Sequence, residues 1–295
     1  MENGDMKAID VEVQTFTKES MKYHPHPEEI EAMARSVFKR DSVFMDEKEF
    51  IAGLREAGVR AILMSPMGGA KVGRDFALIR EMHDYMGHLK KAYPDVVLGC
   101  WGEMDPRLGY PGARELERCI REAGMLGIYT GAVLTGIPVN DRIYWPMYEV
   151  CEEAHVSVKL TVGMTAVGQG TPGGGGIHLS YENPIPYVDD VAVRFPGLTI
   201  IAAHCAWPFH NEMTAVMVHK ANVYNELHGW MPKYFPAELK REINGRLQDR
   251  FMFGSDYPWF SYDRLFKDWE SEGYKPEVLE KVYHQNARRI IGLAE

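Results

Sequence analysis

Short runs of apolar residues, many of them β-branched, alternate with amphipathic stretches along the whole chain. The runs have the length and composition of buried strands, and the stretches between them have the apolar spacing of helices. The sequence predicts eight strands, which are Ala8–Val13, Val59–Met64, Val96–Trp101, Gly127–Thr130, Val156–Val162, Leu198–His204, Val223–Leu227 and Phe251–Ser255. Helices are predicted between them and include Arg74–Tyr93, Ala113–Ala123, Trp145–Ala154, Val188–Phe195, Asn211–Lys220, Ala237–Leu247 and Pro276–Ile291.

This alternation predicts the fold class. Strands that are apolar on both faces indicate a parallel sheet covered by helices on either side. Eight such strands in 295 residues, close to the roughly 250 residues usual for this fold, predict an α/β protein with a closed (β/α)8 TIM barrel. We take 1-295 as a single domain. An open doubly wound sheet is the alternative, but no Gly-x-Gly-x-x-Gly follows the first strand to support it.

Composition and charge narrow the classes of function. Hydrophobic residues make up 45% and charged residues 25%, as in soluble globular proteins, and no apolar run approaches the roughly 20 residues that cross a bilayer. The N-terminus does not have the form of a secretory signal, so we expect a cytoplasmic protein without membrane contact. A net charge of −9 with scattered Lys and Arg argues against a nucleic-acid partner. The glycine-rich stretch 168–176 lacks the Lys-Ser/Thr of a phosphate-binding loop, so no nucleotide cofactor is expected.

In a TIM barrel the carboxyl ends of the strands form the active site. The polar residues at these ends are Glu12, Gln14, Glu103, Asp105, Lys159, Thr161, His204, Glu226, His228 and Asp256. Lys159 lies within an apolar run, where an unpaired charge facing the packed helices would cost several kcal/mol. We therefore expect its side chain inside the barrel, with Glu12 or Asp256 as its partner.

Four segments carry a resemblance to a known family: 201–204, 222–224, 253–258 and 286–293. With Ile9-Asp10 and the segment 103–106, they resemble the amidohydrolase superfamily over nearly the whole chain. The similar branch is the amidohydrolase-related group, which includes aminocarboxymuconate-semialdehyde decarboxylase, resorcylate decarboxylase and several carbon–carbon bond hydrolases.

The resemblance implies a metal site and also shows where this chain departs from it. The family carries His-x-His or Glu-x-His on the first strand, a His on each of the fifth and sixth strands, and an Asp on the eighth. His204 and Asp256 match the last two positions, whereas Gln14 and Thr161 stand in two histidine positions. A divalent metal, zinc or manganese, is thus implied on Glu12, His204 and Asp256, an oxygen-rich set that suits manganese better than zinc. The alternative is a metal-free site in which Lys159 takes the electrostatic role of the cation.

The implied activity is hydrolysis of a carbon–carbon bond in a small β-keto or ring-derived acid, with a role in the catabolism of aromatic compounds. His204 would be the base, Asp256 would orient water or shuttle the proton, and Glu12 and Lys159 would complete the catalytic set. Substrate contacts are expected from Gln14, Thr161, Trp207, His178, His228 and Trp259. The alternatives are a non-oxidative decarboxylase of a phenolic or muconate-type acid, and a non-catalytic barrel that binds a small acid. The family also suggests a homodimer or homotetramer.

Overall fold

The structure is a computed structural model that describes residues 6–24, 26–36, 38–66 and 75–293. Within these ranges the chain forms eight parallel strands in one sheet, in sequence order, with twelve helices around them. The strands are β1 (Ala8–Gln14), β2 (Val59–Met64), β3 (Val97–Gly102), β4 (Met125–Thr130), β5 (Ser157–Thr161), β6 (Thr199–Ala203), β7 (Val223–Glu226) and β8 (Phe251–Met252). The helices are α1 (Pro27–Ser36), α2 (Glu47–Glu56), α3 (Phe76–Ala92), α4 (Gly109–Arg118), α5 (Ala132–Thr135), α6 (Trp145–Glu153), α7 (Pro184–Arg194), α8 (His210–His219), α9 (Ala237–Ile243), α10 (Tyr262–Ser271), α11 (Pro276–Glu280) and α12 (Asn286–Ile291).

The last strand returns to the first and brings the sheet close to a closed barrel. The backbone N–H of Val11 donates to the carbonyl of Phe253 at 3.1 Å, and the N–H of Asp256 donates to the carbonyl of Glu12 at 3.0 Å. Val13 and Tyr257 form a further parallel bridge. These bonds confirm the predicted TIM barrel and place the segment after β8 directly beside β1.

Two apolar cores result from the alternation of side chains along each strand. On β2, Ile62 and Met64 belong to the core inside the barrel, whereas Ala61 and Leu63 belong to the core between sheet and helices. Trp101 from β3 lies in the inner core and has no exposed surface. β2 is therefore apolar on both faces, as the sequence pattern indicates, whereas β5 adds Val158 and Leu160 to the outer core and no residue to the inner one. A polar side chain inside the barrel has to find its partner there.

Four strands end earlier in the structure than in the sequence-based prediction. β5 and β7 each end one residue early, and the ends of β6 and β8 position residues of the site. β6 ends at Ala203 rather than His204, because His204 has a φ of 73° and turns the chain away from the sheet. β8 ends at Met252 rather than Ser255, because the N–H of Phe253 donates to Val282 and that of Ser255 to the Asp10 carboxylate. His204 and Asp256 consequently lie on loops just beyond their strands.

The predicted helices are found at the expected places along the chain, but their first and last residues differ from the prediction. Asp75 caps α3 by accepting hydrogen bonds from the N–H groups of Ala77 and Leu78, which places the start at Phe76; the predicted first residue, Arg74, lies outside the described residues. Helices α1, α2, α5 and α10 are additional to those named from the sequence. In the described part of the chain, no helix is both long and apolar enough to cross a membrane.

Candidate active site

Lys159 lies at the centre of a charged cluster inside the barrel. Its ammonium contacts a carboxylate oxygen of Glu12 on β1 and lies 3.0 Å from Oε1 of Glu226 on β7. It also donates to the carbonyl of Val11 at 3.1 Å. None of the three charged side chains is exposed. The expected burial of Lys159 beside Glu12 is thus present, and Glu226 is a second carboxylate partner.

His228, two residues after Glu226, adds a second cation to this group. Its Nδ1 lies 2.6 Å from Glu226 Oε1, and its Nε2 lies 3.9 Å from Glu12 Oε1. Burial disfavours the charged imidazole, but Glu226 and Glu12 outweigh it and raise the pKa of His228 to about 9. His228 is therefore protonated at neutral pH.

The two glutamates beside these cations differ in protonation. Burial raises the pKa of Glu12 to about 7, although Lys159 and His228 oppose the shift. Burial also acts against ionised Glu226, but His228 and Lys159 outweigh it and lower that pKa to about 2. Of the two, Glu226 is the firm counter-charge, and Glu12 is the carboxyl closer to gaining a proton.

Gln14 connects Glu12 to the carboxylate after β8. Its amide nitrogen lies 3.2 Å from Glu12 Oε1 and 2.9 Å from Asp256 Oδ1. An amide nitrogen carries two N–H donors, so both are used. Burial raises the pKa of Asp256 above its ordinary value. We call Glu12, Lys159, Glu226, His228 and Asp256 the barrel cluster.

His204 and Asp256 both lie beside Gly229, next to this cluster. Both residues adopt the left-handed backbone conformation, with φ of 73° and 60°, which costs a non-glycine residue roughly 1–2 kcal/mol. The side-chain amide of Asn225 holds the turn at His204 by donating to its carbonyl at 2.8 Å. A Cβ at Gly229 would lie 3.7 Å from His204 Nε2 and 3.9 Å from Asp256 Oδ2. The same Cβ would lie 3.1 Å from His204 Cδ2, so a side chain at Gly229 would crowd the imidazole.

The His204 ring is neutral. Burial lowers its pKa well below the ordinary value, and the charge of His228, whose ring centroid is 4.1 Å away, acts in the same direction. Its Nδ1 is buried and has no hydrogen-bond partner in the part of the chain that the structure describes. A neutral imidazole at this place can accept a proton or hydrogen-bond a bound molecule.

Thr161 at the end of β5 is turned towards a buried carboxyl of the following loop. Its hydroxyl donates to Glu182 Oε2 at 2.7 Å, and Glu182 Oε1 accepts the backbone N–H of Val133 at 2.5 Å. Burial raises the pKa of Glu182 to about 7. Sequence reasoning missed this residue, because a glutamate in a loop carries no periodic signal.

The three remaining predicted contact residues are not part of this constellation. Trp259 is packed in an aromatic cluster, with its ring centroid 5.3 Å from that of Phe16 and 4.5 Å from that of Phe38. Trp207 is 41% exposed and pairs with Trp230 at 5.9 Å. His178 is exposed on the loop after β5, beside Tyr181. Their substrate contacts stay predictions.

The barrel cluster contains one of two groups in the described residues whose ligand atoms lie close enough together for a metal ion. Glu12, His228 and Asp256 have potential ligand atoms within 4.8 Å of one another. His228 thus stands in this group where the sequence suggested His204. The residues do not fit a divalent cation well, because Gln14 donates to both carboxylates, Lys159 donates to Glu12, and His228 faces carboxylates with both ring nitrogens.

The second group, which we call the outer cluster, is His83, Glu115 and Cys119 together with Arg118. It lies between α3 and α4, outside the sheet. Glu115 accepts hydrogen bonds from Arg118 at 2.9 and 2.7 Å, and its Oε1 lies 3.2 Å from His83 Nδ1. These groups hold the two helices together through ionic and hydrogen-bonded contacts.

Comparison with known proteins places this geometry in context. A family model described as amidohydrolase matches residues 22–293, so the match begins after β1 and its Glu12 and Gln14. No curated protein resembles the chain closely enough to count as a match.

Solved structures resemble the chain over nearly its full length. An uncharacterised TIM-barrel protein from Bordetella bronchiseptica is 19% identical, with 97% of this chain and 99% of that one covered and a TM-score of 0.71. A 5-carboxyvanillate decarboxylase from Sphingomonas paucimobilis is 18% identical, with coverages of 98% and 100% and a TM-score of 0.71. A dihydroxybenzoic acid decarboxylase from Polaromonas, solved with bound manganese and 2-nitroresorcinol, is 18% identical, with coverages of 97% and 97% and a TM-score of 0.68. At these identities the likeness shows the fold.

Proposed function

The chain belongs to the amidohydrolase family, and from this premise and its site we propose that it is a non-oxidative decarboxylase of a small, hydroxylated ring carboxylic acid. The observation that carries the proposal is the pair formed by Asp256 and His204, whose side chains both approach Gly229. Two solved relatives of this fold act on hydroxylated aromatic carboxylic acids. The reaction needs a proton donor, a place for the substrate's negative charge and no redox cofactor.

Asp256 has the features of the proton donor. Gln14 holds its Oδ1, which leaves Oδ2 on the side of Gly229. Burial raises its pKa, so the protonated carboxyl is more populated than for an exposed aspartate. A positioned general acid of this kind contributes about 10²- to 10⁴-fold to the rate.

The proposed reaction has two steps. The Asp256 proton is transferred to the ring carbon that bears the carboxylate, and a ring hydroxyl stabilises the product of this step by donating electrons. The bond between that carbon and the carboxylate then breaks, its electron pair returns to the ring, and CO₂ leaves. Asp256 regains a proton from solvent, so each turnover consumes one proton. The positive charges of His228 and Lys159 attract the anionic substrate, and neutral His204 hydrogen-bonds its ring hydroxyl.

Isotope labelling tests this chemistry. We would incubate the protein with hydroxylated benzoates, including 2,6-dihydroxybenzoate and 5-carboxyvanillate, in D₂O and measure CO₂ release and the position of deuterium in the product. Deuterium on the carbon that lost the carboxylate, with loss of turnover in Asp256→Asn but not in Asp263→Asn, is the expected result. Asp263 is an exposed aspartate on α10 and serves as the matched control. Turnover that is unchanged in Asp256→Asn would contradict the assignment.

Hydrolysis of a carbon–carbon bond is the second candidate, and one observation favours it. The neutral, buried His204 with its unpartnered Nδ1 in the described structure is suited to take a proton from water. The same incubation in H₂¹⁸O with β-keto acids separates the two reactions, because hydrolysis places ¹⁸O in the carboxylate product and releases no CO₂. A barrel that binds these acids with no turnover of either kind would agree with the non-catalytic alternative.

A further inference from the structure

Glu12 and Asp256 are two acidic groups at the position where the family carries metal ligands. Their carboxylates approach each other across the gap between β1 and the segment after β8, and His228 approaches both of them. Ionised carboxylates at this separation need nearby positive charge or hydrogen-bond donors when water is excluded. In metal-dependent sites a divalent cation supplies that charge.

At Glu12 the chain itself supplies the positive charge and the hydrogen-bond donors. The Lys159 ammonium has three N–H donors, and three acceptors lie around it: Glu12, Glu226 and the carbonyl of Val11. Its Nζ also lies 5.5 Å from the ring centroid of Trp101 and 5.3 Å from that of Tyr129, distances at which aromatic faces stabilise a cation. Every donor of the ammonium is used, and its side chain has no exposed surface.

Gln14 supplies hydrogen-bond donors between the carboxyls of Glu12 and Asp256. Its amide nitrogen donates one hydrogen to Glu12 Oε1 and the other to Asp256 Oδ1. The oxygens that would point at a shared cation are therefore bridged by a side chain of the same strand. Gln14 also stands where the family resemblance expects an imidazole ligand, and Thr161, in the other such position, donates to Glu182.

We infer that Lys159 and Gln14 together replace the divalent cation of the family, so that the site is assembled without a metal. Lys159 supplies a fixed charge from within the barrel, and Gln14 supplies the bridge between Glu12 and Asp256. The positive charge then cannot be lost to a chelator. This inference rests on the location of the site given above but not on the reaction, because its test measures binding of Mn²⁺ and folding rather than turnover.

The test compares wild-type protein with a variant rebuilt towards the family pattern. Mn²⁺ would be titrated into metal-stripped wild type, and into Gln14→His/Lys159→Met, with free Mn²⁺ followed by electron paramagnetic resonance and Tm measured with and without EDTA. We expect no saturable Mn²⁺ binding and no effect of EDTA on Tm in wild type. In the rebuilt variant, which exchanges a buried cation and a donor for an imidazole ligand, we expect Mn²⁺ to bind and to raise Tm.

Wild-type protein that binds one equivalent of Mn²⁺, gains Tm from it and loses both effects in Asp256→Asn would overturn the inference. If the rebuilt variant fails to fold in the absence of metal, refolding it with Mn²⁺ present gives the same comparison, and recovery would support the inference. Failure of the folded variant to bind Mn²⁺ would also count against the inference. Glu12, His228, Asp256 and the introduced imidazole would then not lie where they can share a cation. A matched Lys267→Met variant, which removes an exposed lysine, controls for loss of charge alone.

Discussion

The barrel cluster and the outer cluster both bring acidic and imidazole side chains to within metal-binding distance, but their surroundings differ. In the outer cluster one carboxylate, Glu115, is met by Arg118, whose side chain is 18% exposed and so partly reaches solvent. In the barrel cluster three carboxyls share Lys159 and His228, neither of which has appreciable exposure. The barrel cluster also stands at the carboxyl ends of the strands, where active sites of this fold lie. Both clusters thus bring potential ligand atoms close together. They differ in the cations that pair with their carboxylates and in their position in the fold.

The largest expected difference between the clusters is in turnover. Asp256→Asn removes the proposed proton donor and should lower kcat on a substrate that the protein decarboxylates by about 10²- to 10⁴-fold. Glu115→Gln changes a group on α4 that pairs with His83 on α3 and should leave kcat close to wild type. Steady-state kinetics on both variants checks the difference. A comparable loss of kcat in Glu115→Gln would mean that the outer cluster also contributes to turnover.

The second difference is in the free energy of unfolding. Lys159→Met leaves Glu12 and Glu226 buried with one cation fewer, which for a fully buried pair costs about 3–5 kcal/mol. Lys267→Met, on the exposed face of α10, should change stability by no more than about 0.5 kcal/mol. Urea unfolding of the two variants measures both values. Equal stabilities would show that the lysine charge is not needed to hold the barrel cluster.

The third comparison is with Glu182, a buried carboxyl outside both clusters that has no cationic partner among the described residues. Its pKa in the folded state is about 7, above the ordinary 4.5, so the folded protein binds this proton more tightly than the unfolded chain. Stability therefore falls as pH rises from about 4.5 to about 7, by roughly 3 kcal/mol from this group. Glu182→Gln cannot titrate and should lack this fall. Parallel stability–pH curves for wild type and Glu182→Gln would refute the assignment.

The fold was predictable to a greater degree than the site. Strand periodicity places Lys159 on the inner face, because an apolar run with one buried charge leaves few alternatives. Glu12 was expected there only as a partner of Lys159. It reaches the inner face, which Ile9 and Val11 also line, because the register of β1 shifts between Asp10 and Val13. His204 and Asp256 were predictable through the family resemblance. Glu182 and the hydrogen bonds of Asn225 were not, because the first sits on a loop and the second acts through backbone carbonyls. The gathering of Glu226 and His228 around Lys159 depends on the register between β5, β6 and β7, which the sequence does not specify.

The smallest expected effect is the loss of stability when Glu115 of the outer cluster is replaced. Its dependence on pH is opposite to that expected for Glu182. Burial opposes the charge of Glu115, but His83 and Arg118 outweigh it and hold its pKa below the usual range. Its contribution is thus present at neutral pH and is lost on acidification below the ordinary carboxyl pKa. Glu115→Gln should cost about 1.5–3 kcal/mol at pH 7 and progressively less at low pH. A cost that grows on acidification would contradict this ion-pair description.

The metal content of the wild-type protein tests the central claim most directly, namely that the barrel cluster carries its own positive charge. The untagged protein would be produced in medium supplemented with manganese and zinc, purified without chelator and analysed by elemental mass spectrometry. The account predicts far less than one equivalent of either metal, and the same value in Asp256→Asn. One equivalent of manganese or zinc in wild type, absent from Asp256→Asn, would contradict it and assign Glu12, His228 and Asp256 to a metal ion.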